Sequence, residues 1–211
     1  MVKIIFEDNH LLVVIKPAGV PTQPDFQKEM QQYLKKKYHK KGNVFLYPIH
    51  RLDKPVSGLV LFAKTSKALR RLHEAQRRRE IVKIYRAEVE GILQQEEGTL
   101  EHYLTHESFY AKVAKEGKLS RLFYRVLQRK KDATLIEIIL LTGRYHQIRA
   151  QFSAIGHPIV GDTKYGSKRG NSLCLSHVKM ECIHPVTKRK LCFENLVFGT
   201  VSSSHLDENC I

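Results

Sequence analysis

No apolar run in the sequence approaches the ~20 residues needed to cross a bilayer, and the opening "MVKIIFEDNHLL" reads as a charged strand rather than a signal peptide. A spanning helix and a secretory route are therefore not expected, and the chain is expected in the cytoplasm. Cysteine is scarce: Cys174, Cys182, Cys192 and Cys210 are scattered over the last part of the chain without a CxxC pair. That excludes a sequence-coded disulfide framework or zinc knuckle and leaves reduced thiols as the expectation. Cys174, His177, Cys182 and His184 alternate as strand residues do, which sends them to different faces, so no metal is expected. Acid is also in short supply, with 21 Asp and Glu against 36 Lys and Arg and a formal charge of +15. Such an excess draws in a polyanion, and nucleic acid is the leading partner. A membrane surface would need a basic amphipathic helix with large apolar anchors, and none stands out.

What is present is an ordinary globular mixture, 42% hydrophobic and 27% charged. "KIIFE" and "LLVVIK", separated by Asp8, Asn9 and His10, predict a hairpin or neighbouring strands. "PAGVPTQPD" breaks all periodicity, after which Met30, Leu34 and Tyr38 predict a helix running up to Gly42. That helix carries "KKKYHKK", a solvated face or a phosphate contact. "GLVLFAK" predicts a central strand, and Thr65 or Ser66 caps a helix with Leu69, Leu72 and Ala75 on one face and arginines off it. "EIVKIYRAEVEG" and "ATLIEIILL" predict strands, whereas Tyr103 to Leu127 is mixed around an "AKEGK" turn. Thr142 is expected to cap a helix with Tyr145, Ile148, Phe152 and Ile155 on its apolar stripe and Gly156 at its exit. "SLCLSHVKMECIHP" and "RKLCFENLVF" predict a closing strand pair, and 199–211 a frayed tail. Without repeats or a dividing linker, 1–198 reads as one domain. Clustered strands outnumber helices, so the fold class is α+β with a mixed, mostly antiparallel sheet and flanking helices.

Three places carry residues suited to chemistry. In "YPIHRLDKPVSG", Asp53 lies between Arg51 and Lys54, and nearby cations favour an ionised carboxylate that serves as nucleophile or base. A salt bridge in a turn is the plain alternative. In "GRYHQIR", Arg149 falls at the border of the apolar stripe, from which a guanidinium can reach an interior carboxylate. Arg144 and His146 fall near the helix start, where free N–H groups meet phosphates, or His146 is an ordinary cap. In "KIYRA", Tyr85 is either core or an aromatic face for a flipped base.

Taken together these segments resemble the RluA-type pseudouridine synthases. "FEDNHLLVVIKPAGVPTQP", "HRLDKPVSGLVLFAKT", "KIYRAEVEG" and "LLTGRYHQIRAQFSAIGHPIVGDTKYG" look like that family's successive motifs, in its order, from about Phe6 to Gly166. The resemblance implies a long mixed, largely antiparallel sheet with a central active-site cleft. It implies Asp53 as the essential aspartate, Tyr85 as the aromatic packed on the target base, and Arg149 as the partner that orients Asp53 by an ion pair. Arg51, with His50 beside it, would contact the extruded nucleotide, and Arg144 and His146 would contact RNA. Many relatives carry an N-terminal S4 module; here the motifs begin almost at Met1, and a catalytic domain without that module is expected. Two positions depart from the family pattern, Val56 where Thr is usual and Ser176–His177 where His-Ala is usual, and they bear on substrate preference.

The implied reaction converts uridine in ribosomal or transfer RNA to its C-glycoside isomer. Atoms are conserved, so no cofactor is expected. The target must leave its stack, at a few kcal/mol. Asp53 could attack C1′, attack C6, or remove the 2′ proton. A monomer is expected. Two rivals remain: a non-catalytic RNA- or ribosome-binding protein, which has no need of Asp53, Tyr85 and Arg149 together, and an N-glycosidase, which typically uses two carboxylates.

Overall fold

The structure is a computed structural model that describes residues 2–195, and the expected tail at 199–211 lies outside the described residues. The chain divides into two compact units: 2–81 with 177–195, and 82–176.

The first unit is built on β1 (Ile4–Glu7), β2 (Leu11–Lys16), β3 (Tyr47–Pro48), β4 (Ser57–Ala63), β10 (Leu175–Ile183, which enters this unit at His177) and β11 (Lys190–Glu194), with helices α1 (Gln27–Lys37) and α2 (Ser66–Arg77). β1 pairs antiparallel with β2, β2 with β4, β3 with β4 and β10 with β11, and β10 lies beside β4. The predicted β1–β2 hairpin is present, closed by the Asp8 carboxylate, which accepts from the His10 and Leu11 N–H groups at 2.7 Å each.

β2 and β4 read as unbroken apolar runs because both of their faces are covered. Leu11 and Val13 pack with Leu59, Leu61, Met180 and Phe193 and with Ala68 and Leu72 of α2. The opposite face, carrying Leu12, Val14, Val60 and Phe62, meets Phe26 at the entry to α1, with its ring 6.2 Å from that of Phe62. α1 turns Met30 and Leu34 inward and ends at Tyr38, four residues short of the expected Gly42. Thr65 caps α2, accepting from Ala68 N–H at 3.2 Å. Gly58 (φ +122°) is required where β4 meets β10, since a Cβ there would stand 2.3 Å from the His177 carbonyl oxygen.

The second unit is an antiparallel sheet in the order β5 (Val82–Glu90), β9 (Ala133–Leu140), β8 (Lys118–Arg129), β6 (Glu97–Glu107), β7 (Tyr110–Val113), crossed by α3 (Gln147–Ala154). β5 was legible from its alternation and β9 from its β-rich apolar run. β6 and β8 run well beyond the "AKEGK" turn, in a stretch that sequence left unassigned because one face of β6 is exposed and the other, apart from Leu104, only half-buried. Cross-strand ion pairs add to the pairing: Glu137 lies directly between Arg86 and Arg125 in register, at 3.7 and 3.1 Å.

α3 starts four residues later than expected. Thr142 is not its cap. The Thr142 hydroxyl donates to Gln147 Oε1 at 2.8 Å and accepts from Arg121 N–H at 2.8 Å, while His146 stands at the N-cap with φ +49°. Ile148 and Phe152 are buried as predicted, but Tyr145 precedes the helix and is 41% exposed. Together the units show the mixed, mostly antiparallel α+β class expected. The thiols of Cys174 and Cys182 are free.

Candidate active site

In the first unit, Asp53 stands on the segment between β3 and β4, and the backbone on either side of it is pinned. Before it, the Thr22 hydroxyl accepts from Leu52 N–H at 2.9 Å and donates to Leu52 C=O at 3.0 Å. After it, Lys54 C=O accepts from Gly19 N–H at 2.8 Å and from the Lys16 ammonium at 3.4 Å. The Asp53 carbonyl itself accepts from Val56 N–H at 3.0 Å, closing the turn. With both neighbours fixed, the carboxylate is carried on a backbone with little freedom to wander, which is what a reacting group requires.

Lys16 ends β2 on the inward face shared with Leu12 and Val14 and is fully buried. Its ammonium also donates to Pro17 C=O at 2.9 Å and to Val20 C=O at 2.6 Å. Burial pushes its pKa down to about 8, against the opposing pull of the Asp53 charge. Lys16 and Asp53 are therefore electrostatically coupled. Arg51 is exposed, and His50 is 9% exposed, with Nε2 accepting from Leu61 N–H at 3.3 Å and its ring edge-on to His177 at 5.1 Å.

In the second unit, Arg149 is buried at 5% exposure, not at the border the helical wheel gave it. The reason is a partner thirteen residues on: its Nε and Nη2 donate to the two oxygens of Asp162, at 2.7 Å each. Its guanidinium carbon stands 4.9 Å from the centre of the Tyr165 ring. A bidentate carboxylate fork and an aromatic face together fix the plane of the guanidinium. Gly161 (φ +79°) sets Asp162 in place, since a Cβ there would overlap the Ser172 carbonyl.

The third donor of Arg149, Nη1, lies 3.1 Å from His146 Nε2. A guanidinium only donates, so Nε2 accepts and the ring proton sits on Nδ1, which faces the Tyr165 hydroxyl at 2.9 Å. That hydroxyl oxygen also accepts from Ala111 N–H at 2.9 Å. Burial, then the charges of Arg149 and Lys164, push the His146 pKa down to about 3, so the imidazole is neutral. Tyr145 stacks on it at 3.8 Å, and Arg144 is exposed, its Nε donating to Leu119 C=O at 3.3 Å.

Tyr85 is buried at 6% exposure on β5, directly opposite Ile138, which in turn faces Tyr124 on β8. Phe152 packs edge-on to Tyr124 at 5.7 Å, so α3 covers the sheet face that carries Tyr85. Within this unit, then, Arg149 and Tyr85 belong to the same side of the sheet. Asp53 belongs to the first unit, Tyr85 and Arg149 to the second.

Lys16, Thr22, Asp162 and Tyr165 escaped the sequence reading. Lys16 had a signal, a lysine at an inward position of an apolar strand. Asp162 and Tyr165 sit inside the motif "VGDTKYG", but only the folded loop shows that they hold Arg149 and His146.

Comparison with known proteins agrees with the motifs. The model of the family described as "RNA pseudouridylate synthase" matches residues 10–154, across parts of both units. The dual-specificity RNA pseudouridine synthase RluA of Pasteurella multocida is 35% identical over 203 residues, covering 90% of each chain. The uncharacterized RNA pseudouridine synthase YhcT of Bacillus subtilis is 32% identical over 195 residues, and the chain spans 87% of its own length but 65% of that relative. Ribosomal large subunit pseudouridine synthase C of Vibrio cholerae is 31% identical over 199 residues, covering 89% of this chain and 63% of that one. Among solved structures, human RNA pseudouridylate synthase domain containing 1 shares the fold with a TM-score of 0.79 at 23% identity, over 93% of this chain and 84% of that one. The motifs and the matches converge: the chain belongs to the RNA pseudouridylate synthase family.

Proposed function

We propose that this protein isomerises uridine in RNA to pseudouridine, with Asp53 as the essential carboxylate. The N1–C1′ bond breaks, the uracil turns, C5 bonds to C1′, the C5 proton leaves and N1 gains one. Nothing is oxidised or reduced, and the reaction draws on no cofactor. The observation that carries the reading is the family match spanning a lone acid whose two neighbours are clamped by Thr22 and Lys16.

Arg149 pairs with Asp53 in this reading, keeping it anionic while water is excluded, and Tyr85 stacks on the displaced base. The bidentate grip of Asp162 supports the role of Arg149, because it leaves the guanidinium one preset orientation. Arg51, exposed two residues before Asp53, contacts the extruded nucleotide, with His50, Arg144 and His146 completing the RNA contacts. Developing negative charge on the departing uracil is met by the guanidinium of Arg51.

The names of the relatives include a dual-specificity enzyme and a ribosomal large-subunit enzyme, which supports ribosomal or transfer RNA as substrate. No helix among the described residues is long and apolar enough to cross a membrane; we assign the protein to the cytoplasm, acting as a monomer. Mapping chemically derivatised pseudouridines in cells with and without the gene identifies the target: one or more sites disappear on deletion and return with the wild-type chain but not with Asp53→Ala. An unchanged pseudouridine map would refute the activity.

A further inference from the structure

α1 has a second face that the core does not use. Lys28, Gln31, Gln32 and Lys35 recur at spacings of three and four and so share one side of the helix, away from Met30 and Leu34. Opposite them, the segment returning from α1 to β3 turns Phe45 and Tyr47 outward, 38% and 44% exposed, with ring centres 4.8 Å apart and planes tilted by 54°. Together these six side chains line an open groove of about 570 Å³ whose wall holds two lysines and no carboxylate.

The aromatic wall is held in place. Gln31 donates to Val44 C=O at 3.2 Å and Gln27 to Leu46 C=O at 2.7 Å, stitching both residues that flank Phe45 to the helix. Large apolar side chains fixed at the surface, with nothing of the described chain covering them, call for a flat apolar ligand. Lysines along the opposite wall call for negative charge. A single-stranded nucleic acid supplies both, bases to the rings and phosphates to the ammonium groups. A folded protein would have to bury Lys28 and Lys35 against carboxylates, and a duplex offers no free base faces.

We propose that this groove binds a single-stranded RNA segment beside the target uridine, bases stacking on Phe45 and Tyr47 and phosphates meeting Lys28 and Lys35. The inference rests on the RNA-modifying reading above and adds the place where the flanking strand is held. Tyr47 precedes Asp53 by six residues, so the two are at most ~20 Å apart along the chain, a distance a few nucleotides cover.

The test is fluorescence anisotropy with a labelled oligouridylate and, as comparison, a duplex RNA of equal length. Joint Phe45→Ala and Tyr47→Ala substitution weakens single-strand binding by about tenfold or more and leaves duplex binding unchanged. Phe45→Tyr with Tyr47→Phe restores it. Lys28→Gln with Lys35→Gln lowers the slope of log affinity against log salt by about 1.4, at roughly 0.7 for each single-strand phosphate that is no longer neutralised. A 4-thiouridine version of the probe crosslinks to the peptide holding Phe45 and Tyr47. Wild-type affinity in both the aromatic and the lysine variants, or crosslinks confined to other peptides, overturns the proposal. Should the alanine pair unfold the protein, the surface lysine pair and the crosslink decide. Turnover by Asp53→Ala with groove binding intact would instead remove the catalytic assignment and leave the groove standing.

Discussion

Asp162 receives the guanidinium of Arg149 out of contact with water, and losing one partner of such a pair strands the other charge. Asp162→Asn should therefore destabilise the protein by about 3–5 kcal/mol in urea titration and lower turnover beyond what the lost folded fraction explains. If it remained as stable and as active as wild type, the fork would not be positioning Arg149. Lys16 makes the complementary case on the aspartate side. Lys16→Met keeps the apolar stem but removes the donors to Pro17, Val20 and Lys54; turnover should fall at least about tenfold with little change in RNA affinity, since binding uses other residues. The acid, tyrosine and arginine could be proposed from sequence because they sit in motifs with a fixed local spelling. Their supports were not, because a hydroxyl such as Thr22, thirty residues before Leu52 in sequence, acquires its role only when the chain brings it there.

At the scale of elements, Glu7 joins β1 to the end of α1 and to the residue after β4. It accepts from Lys37 at 2.7 Å, Tyr38 at 2.6 Å and Lys64 at 2.8 Å. Burial alone would raise its pKa, but these donors outweigh it and hold the carboxyl at about 2, against an ordinary 4.5. A folded-state pKa below the unfolded one contributes stability that is present above pH 4.5 and is lost as pH falls towards 2. Glu7→Gln should be less stable than wild type at pH 7, and denaturant titrations should show the difference shrinking between pH 4.5 and pH 2. A gap independent of pH would assign the loss to packing. β2, β4, β5 and β9 were legible because burial imposes a pattern on them. β6 and β8 were not, since β6 buries only Leu104 and the buried face of β8 is short, Ser120, Leu122 and Tyr124, among charged and polar neighbours. The start of α3 was misplaced because His146, in a left-handed conformation, breaks the helix before it begins, and no cap residue announces this.

For the whole molecule, the +15 charge has a clear division of labour. Lys37 is tied to Glu7 and Arg169 to Asp132, but Lys35, Lys36, Lys40, Lys41, Arg70, Arg77, Arg79 and Lys168 stand in solvent. If about six of the exposed cations engage phosphates, affinity for structured RNA should drop roughly a thousandfold between 50 and 200 mM salt. A flat salt response would mean that the charge serves something other than RNA. The class of fold followed from composition and clustered strands, while the division into two units had no linker or compositional break to betray it. The catalytic claim is tested most directly with RNA tritiated at C5 of uridine, because forming the new carbon–carbon bond expels that hydrogen. The account predicts tritium release with pseudouridine formation by the wild-type chain, and neither by an Asp53→Ala protein that still binds the RNA. Release at the wild-type rate by Asp53→Ala, or free uracil in place of pseudouridine, would contradict it.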